Sequence, residues 1–406
     1  MTNTDKQKNP KKLKLCLIAG ARPNFMKIAP LIRAIRAHNR AGRGVDIGFL
    51  LVHTGQHYDY EMSEIFFDEL EIPEPDVYLN VGSGRHGEQT GKIMIAFEKV
   101  VIKEKPDIVA VVGDVNSTIA CALVATKCHV RVAHVEAGLR SFDRSMPEEI
   151  NRLLTDQIAD YLFTPSPDAE ENLQKEGIPS EKIFPVGNIM IDNLFYHLEK
   201  ARDSDIFQKM GLLADSDSGV KNYALLTLHR PVNVDDKPTL IKIFDALKLV
   251  SEKIPVIFPV HPRTQKRIAE FGLDEMYEMH IKNIDSSIDA GNAFNAVKPL
   301  GYPDFLALMS KARIVFTDSG GIQEETTVLG IPCLTLRDST ERPVTVTEGT
   351  NLIVGSVTEK IIGGVEKVFE SSGVKKRCPE LWDGKTSERI TEILCNVTCQ
   401  DMKEAK

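Results

Sequence analysis

Short, unbroken apolar runs alternate along the chain with longer stretches whose apolar positions recur every three to four residues. In the first half the runs are KLCLIAG, IGFLLVHTG, DIVAVVGD, VRVAHVEAG, YLFTPS and KIFPVGN. A second series follows: YALLTLHR, PVIFPVH, VKPL, RIVFTDSGG, IPCLTLR and TNLIVG. Between them lie amphipathic patterns such as IAPLIRAIRAHN, TIACALVATK, EEINRLLTDQIADY and LIKIFDALKLVSEK. Unbroken runs belong to strands covered on both faces, and βαβα alternation to parallel sheets flanked by helices. Two sheets of about six strands each exceed what one doubly wound domain holds, so the pattern predicts an α/β chain of two Rossmann-like domains. Their boundary is expected between GNIMIDNL (187–194) and YALLTLHR (223–230), across a polar stretch rich in Asp, Ser and Gly.

Composition narrows the classes. The chain has 406 residues, 42% apolar and 27% charged, enough for two cores of ordinary globular make-up. A net charge of -8 argues against a nucleic-acid surface. The seven cysteines form no CxxC pair, and Cys395 and Cys399 lack companions for a zinc site, so idle thiols in a reducing compartment are expected. MTNTDKQKNPKKLK carries no apolar leader and no run of 18 apolar residues occurs, which predicts a cytoplasmic protein without membrane contact.

Ligands of open parallel sheets sit beyond the carboxyl ends of the strands. Here those ends carry GARPN, HTGQH, GDVNST, HVEAG, LHRPVN and TDSGGIQEE. In TDSGGIQEE, Ser319, Gly320 and Gly321 would present bare N–H groups at a helix start, an anion site helped by the helix dipole. Glu325, one turn on, suits a ribose hydroxyl or simply solvent. Arg22, Lys27 and Arg342 could meet a negative ligand, although lone cations are usually surface. Asp114 reads as a cap or as a base, with Asn116 or Ser117 as alternative caps. HVEAGLRSFDRSMPEEINR concentrates charge: Glu136 at a strand end, Glu148 at a helix start, Arg152 four residues on. Ser145-Met-Pro-Glu148 also fits a capping box, and Glu148 with Arg152 a plain helix pair. His229 ends the first strand of the second series, as a structural residue or at the ligand site. VGSGRHG contains GxGxxG but follows a short run, and RHGEQ is a poor helix start, so a loop is expected rather than a nicotinamide site.

Together these blocks resemble the non-hydrolysing UDP-N-acetylglucosamine 2-epimerases, from about Leu15 to Gly355. HVEAGLRS…PEEINR and TDSGGIQEE…LG.P.L.LRD.TERP carry the resemblance most specifically; G.RPN..K..P, TGQH and GD..ST agree in order and spacing. The resemblance implies a glycosyltransferase-B arrangement with the active site in the cleft between two domains, residues 1–190 joined by a C-terminal helix 380–406, and residues 191–379. It implies reversible inversion at C2 of UDP-N-acetylglucosamine, with no cofactor, no metal and a homodimer. Elimination of UDP would give a 2-acetamidoglucal, and protonation from the opposite face with return of UDP would complete the inversion. By motif, Asp114, Glu136 and Glu148 match the proton-transfer carboxylates, and His229 the residue assisting the departing diphosphate. Arg22, Lys27, Ser319, Gly320, Glu325 and Arg342 match positions gripping UDP, and Arg152 an arginine near sugar or phosphates. Many bacterial members read His-Arg-Arg-Glu where this chain reads HRPVN. In them the second Arg and nearby Gln residues hold an additional, activating UDP-N-acetylglucosamine. Gln56 is present but Pro231 replaces that Arg, which argues against such activation here and leaves room for a related substrate such as a UDP-diacetamido-uronic acid. A hydrolysing relative, a turnover-free sensor of UDP-sugars and a glycosyltransferase sharing the fold are the other readings, the last disfavoured by the HVEAGLRS and PEEINR blocks.

Overall fold

The computed structural model describes residues 12–42, 44–55, 70–214, 219–284, 287–289, 294–370 and 378–404, without the side chains of Arg22 and of 398–404. Gln56 therefore lies outside the described residues, as does the Arg22 side chain. The chain forms two compact units, Met1–Asn193 with Glu380–Lys406, and Leu194–Pro379. The division falls inside the helix Ile189–Ala201. The polar stretch 201–222 belongs wholly to the second unit, where it buries Ile206, Met210 and Leu212.

The first unit is built on β1 (Lys12–Ala19), β2 (Asp46–His53), β3 (Val77–Tyr78), β4 (Ile108–Val112), β5 (Arg131–Val135), β6 (Tyr161–Thr164) and β7 (Ile183–Pro185). Their order is β3-β2-β1-β4-β5-β6-β7. The second has β8 (Ala224–Thr227), β9 (Val256–Pro259), β10 (Asn295–Val297), β11 (Ile314–Thr317), β12 (Cys333–Thr335) and β13 (Asn351–Ile353), in the order β10-β9-β8-β11-β12-β13. Each apolar run of the sequence holds a strand except VKPL, of which only Val297 lies in β10, the strand ending before Lys298 and Pro299; all the strands pair in parallel. The two-residue β3 is added at an edge of the first sheet, too short to register in the hydrophobic pattern.

Burial on both faces explains why the runs are unbroken. All five residues of β4 are buried, as are all four of β11. Ile93, Phe97 and Val101 of the helix His86–Glu104 and Ala120, Cys121 and Val124 of the helix Asn116–Lys127 join β4 in one core. Each such large apolar side chain contributes about 1.5–3 kcal/mol. Phe244, Phe258 and Phe316 anchor the core of the second unit.

The C-terminal segment completes the first unit. Trp382 donates to the Pro165 carbonyl (2.8 Å) and Arg389 to that of Val186 (2.6 Å). Asp192 accepts from the backbone N–H groups of Thr386 (3.0 Å) and Ser387 (2.7 Å), which open the helix Thr386–Glu404. Gly187 has φ +86°, and the Leu381 carbonyl occupies the space a Cβ would take, so only glycine admits the returning segment. Among the described residues no helix is long and apolar enough to cross a membrane.

Two local expectations are corrected. The helix His86–Glu104 begins directly at His86, within RHGEQ. Its first turn is held from outside: Gln89 donates to the Gly82 carbonyl (2.9 Å) and accepts from Asn116 (2.8 Å). The helix Asn116–Lys127 is entered through Val115, with no side-chain cap from Asp114, Asn116 or Ser117. Ser117 instead shares a hydrogen bond with Thr54 (2.7 Å).

Candidate functional site

Each sheet reverses its strand order once, between β1 and β4 in the first unit and between β8 and β11 in the second. The turns leaving such neighbours diverge and open a crevice at the strands' carboxyl ends. Lys27, Asp114, Glu136 and Arg152 stand near the first of these places, and His229, Ser319, Gly320 and Gly321 at the second.

In the first unit, Val112 of β4 pairs with Val135 of β5, so the next residues, Gly113 and Glu136, leave the sheet side by side. Glu136 has φ +68°. That left-handed conformation costs a non-glycine residue roughly 1–2 kcal/mol. The carboxylate is buried; Oε2 contacts the Lys27 ammonium, itself buried on the helix Arg22–Ala41, and Oε1 has no hydrogen-bond partner among the described residues. Gly113 has φ +65°, and a Cβ there would stand 2.8 Å from Lys27 Nζ. The turn after β1 is fixed by Asn24, which accepts from the N–H groups of Gly20 (3.0 Å) and Ala21 (2.9 Å) and donates to the Val112 carbonyl (3.0 Å).

Asp114 follows Gly113 and stays partly open to solvent, with Oδ2 2.5 Å from Arg152 Nη1. The rest of the Arg152 guanidinium is held by Glu149, through Nε (3.0 Å) and Nη2 (2.6 Å). Glu149 in turn accepts from the backbone N–H groups of Ser141 (3.0 Å) and Phe142 (2.9 Å) and so ties down the loop before its helix. Burial works to raise the Glu149 carboxyl, but the Ser141 N–H and Arg152 outweigh it and hold the group below its usual range. Neither the capping box nor the Glu148–Arg152 pair forms: the helix Pro147–Ile158 is entered through Met146 without a side-chain cap, and Ser145 is held by Asp143. Glu148 is exposed and, among the described residues, makes no side-chain hydrogen bond or ion pair. Glu149 is a residue that sequence reasoning missed, as are Asp318 and Glu324 in the second unit. For Glu149, the i,i+3 spacing to Arg152 was the available signal.

In the second unit, His229 follows β8 and Asp318 follows β11, strands paired Thr227 to Thr317. His229 Nδ1 lies 3.1 Å from Asp318 Oδ1. Asp318 also accepts from the N–H groups of His229 (3.0 Å) and Arg230 (2.9 Å). Burial pushes Asp318 up, yet the His229 side chain and these N–H groups prevail and hold its carboxyl below the ordinary range. The His229 side chain remains 36% exposed, so its ring can reach a ligand.

Ser319 is the N-cap of the helix Gly320–Leu329, and its own N–H is taken by Thr317 Oγ1 (3.0 Å). A Cβ on Gly320 or Gly321 would meet no atom within 4 Å, and neither glycine has a positive φ. Nothing in the fold therefore requires glycine at either position, whereas close approach of a ligand to the helix start would. Glu325 is buried rather than solvated and accepts from the Tyr302 hydroxyl at 2.7 Å. Burial, with the charge of neighbouring Glu324, pushes its carboxyl up to about 7 against the pull of Tyr302. Arg342 Nε meets Glu324 Oε1 at 2.5 Å. Of the cations expected at a diphosphate, Lys27 and Arg342 are thus each paired with a glutamate. Among the described residues no group of three or more His, Cys, Asp or Glu is placed to hold a metal ion.

The family model of the UDP-N-acetylglucosamine 2-epimerases matches residues 41–395. A UDP-N-acetylglucosamine 2-epimerase of Methanocaldococcus jannaschii is 45% identical over 386 residues, 94% of this chain and 99% of its own. The crystal structure of that organism's UDP-GlcNAc 2-epimerase in complex with UDP-GlcNAc and UDP superposes with a TM-score of 0.79 at 44% identity, covering 94% and 99% of the two chains. A UDP-2,3-diacetamido-2,3-dideoxy-D-glucuronate 2-epimerase of Pseudomonas aeruginosa is 39% identical over 95% of this chain and 100% of its own.

Proposed function

The chain belongs to the UDP-N-acetylglucosamine 2-epimerase family, and from that premise we propose that it inverts C2 of UDP-N-acetylglucosamine to give UDP-N-acetylmannosamine, reversibly and without hydrolysis. The C2 proton of the sugar is not acidic. Breaking the C1–O bond first puts positive charge on C1, and UDP leaves with the bonding electrons. A carboxylate then takes the C2 proton, leaving a C1–C2 double bond. Protonation of C2 on the other face and return of a phosphate oxygen to C1 give the epimer.

The observation that carries this proposal is the Glu136 carboxylate, strained, buried, and with one oxygen on Lys27 while the other has no hydrogen-bond partner among the described residues. A base so held needs no rearrangement before reaction, and such proton transfer contributes about 10²–10⁴ in rate. Asp114, in the adjacent turn, and Glu148, exposed on its helix, are the proposed partners in proton transfer. The N–H groups of Gly320 and Gly321, with the Ser319 hydroxyl, would receive the diphosphate, with Arg22, Lys27, Arg152 and Arg342 as the proposed cationic surroundings and Glu325 on the ribose. His229, oriented by Asp318, would donate to the departing phosphate oxygen. A homodimer belongs to the same proposal and is checked by analytical ultracentrifugation.

The test is incubation with UDP-N-acetylglucosamine in D₂O followed by proton NMR. UDP-N-acetylmannosamine carrying deuterium at C2 is expected. Free N-acetylmannosamine with UDP would replace the proposal by a hydrolysing reaction. The 39% identical relative favours a second substrate, the UDP-diacetamido-uronic acid, and turnover of that sugar alone would move the assignment to it.

A further inference from the structure

Resting on the function proposed above, we propose that His134 and Asp156 are positioning residues for proton transfer at C2 and act through Glu136. His134 is on β5, two residues before Glu136, and is fully buried. Its Nε2 lies 2.9 Å from the carbonyl of Gly113, the residue immediately before Asp114. Its Nδ1 lies 2.6 Å from Asp156 Oδ1. Asp156 Oδ2 accepts from the N–H of Gly138 (3.1 Å) and meets Arg140 Nη2 (2.8 Å). Burial would raise the Asp156 carboxyl, but the His134 and Arg140 charges hold it low, so it is an acceptor on every side. A carbonyl and a carboxylate both accept, hence both ring nitrogens of His134 donate.

The consequence is geometric. Asp156 sits on the helix Pro147–Ile158, which also carries Glu148, Glu149 and Arg152. One buried pair therefore ties three elements together: the turn at Gly113–Asp114, the turn at Glu136–Gly138, and this helix. The Gly113 turn abuts the Lys27–Glu136 pair, since a Cβ on Gly113 would be 2.8 Å from Lys27 Nζ and 3.7 Å from Glu136 Oε2. If the Gly113 carbonyl loses its donor, the turn relaxes and Glu136 with it. The pair also satisfies two buried backbone groups, the Gly113 carbonyl and the Gly138 N–H, so the experiment has to separate positioning from stability.

The experiment uses His134→Gln and Asp156→Asn in the full chain, each alone and combined with Glu136→Gln. With the UDP-sugar the wild type turns over, each single variant should lose about 10²-fold in kcat, as for a misplacement of order 1 Å, with KM within about threefold. His134→Gln added to Glu136→Gln should cost nothing further, because a residue acting through Glu136 has no role once that carboxylate is gone. Multiplying losses, or wild-type kcat in a folded variant, would overturn the proposal. Should the wild type turn over no UDP-sugar, the functional assignment fails by itself and crystal structures decide the positioning. Loss of the Lys27–Glu136 contact in His134→Gln supports it, and an unchanged contact refutes it. Asp156→Asn, nearly isosteric, carries the same readouts if His134→Gln does not fold.

Discussion

His229 Nδ1 stands 3.1 Å from Asp318 Oδ1, at the place where the strand order of the second sheet reverses. The carboxylate fixes which ring nitrogen faces inward and leaves Nε2 for the ligand. Asp318→Asn keeps the shape but removes the charge that orients the ring. Steady-state kinetics should show kcat lower by about 10²-fold, with a smaller change in KM. The same carboxyl is held low in the folded chain, so its stabilising contribution is present above the unfolded carboxyl range and is lost as pH falls through the lower folded value. Asp318→Asn should remove that part of the acid sensitivity in denaturant titrations.

Glu325 behaves in the opposite sense. Its carboxyl is raised from 4.5 to about 7, so the folded chain binds a proton there that the unfolded chain has already released. Its contribution to stability is full below about pH 4.5 and is lost as pH rises through about 7, a swing worth about 3 kcal/mol. Glu325→Gln should flatten the pH dependence of stability across that window. If a ribose hydroxyl donates to this carboxylate, UDP binding near pH 7 should release protons, a release absent in Glu325→Gln. Calorimetry in buffers of different ionisation enthalpy measures it.

Lys27→Met would leave the Glu136 carboxylate buried without its cation. Breaking one side of such a pair costs about 3–5 kcal/mol. Urea unfolding should show that loss for Lys27→Met and a markedly smaller one for the double variant with Glu136→Gln. Equal losses would mean that the ion pair is not what holds this turn.

The two glycines at the helix start separate fold from ligand. Gly321→Ala should leave stability unchanged or raise it by up to about 1 kcal/mol, since alanine is the better helix former and nothing crowds its Cβ. UDP affinity should fall at least about tenfold, as the methyl group would keep a phosphate from the N–H groups. Thermal unfolding and UDP titration of one preparation give both numbers.

The strands were legible because parallel strands buried on both faces announce themselves as unbroken apolar runs. β3 was not, since two residues leave no pattern. The start of the helix at His86 was misread for a different reason: its first turn is secured by Gly82 and by Asn116, some thirty residues away, and not by local propensity. The same limit governs the candidate site. Motif and strand-end position singled out Asp114, Glu136 and His229, but their partners come from far along the chain: Arg152 for Asp114, Lys27 for Glu136, Asp318 for His229. Local rules favoured Glu148 as cap and helix partner, whereas the loop and Arg152 are held by Glu149 next to it.

The return of residues 380–404 to the first unit bears on how the molecule comes into being. Synthesis proceeds from the N-terminus, and domains generally fold as units as they emerge. The second unit, continuous from Leu194 to Pro379, has all its strands before the helix Thr386–Glu404 exists. The first unit is made earlier but waits for that helix, with Asp192 lacking Thr386 and Ser387 and the Pro165 carbonyl lacking Trp382. The half of the protein translated first is therefore the half that matures last, and a nascent chain stalled before residue 380 would carry a finished second unit on an unfinished first.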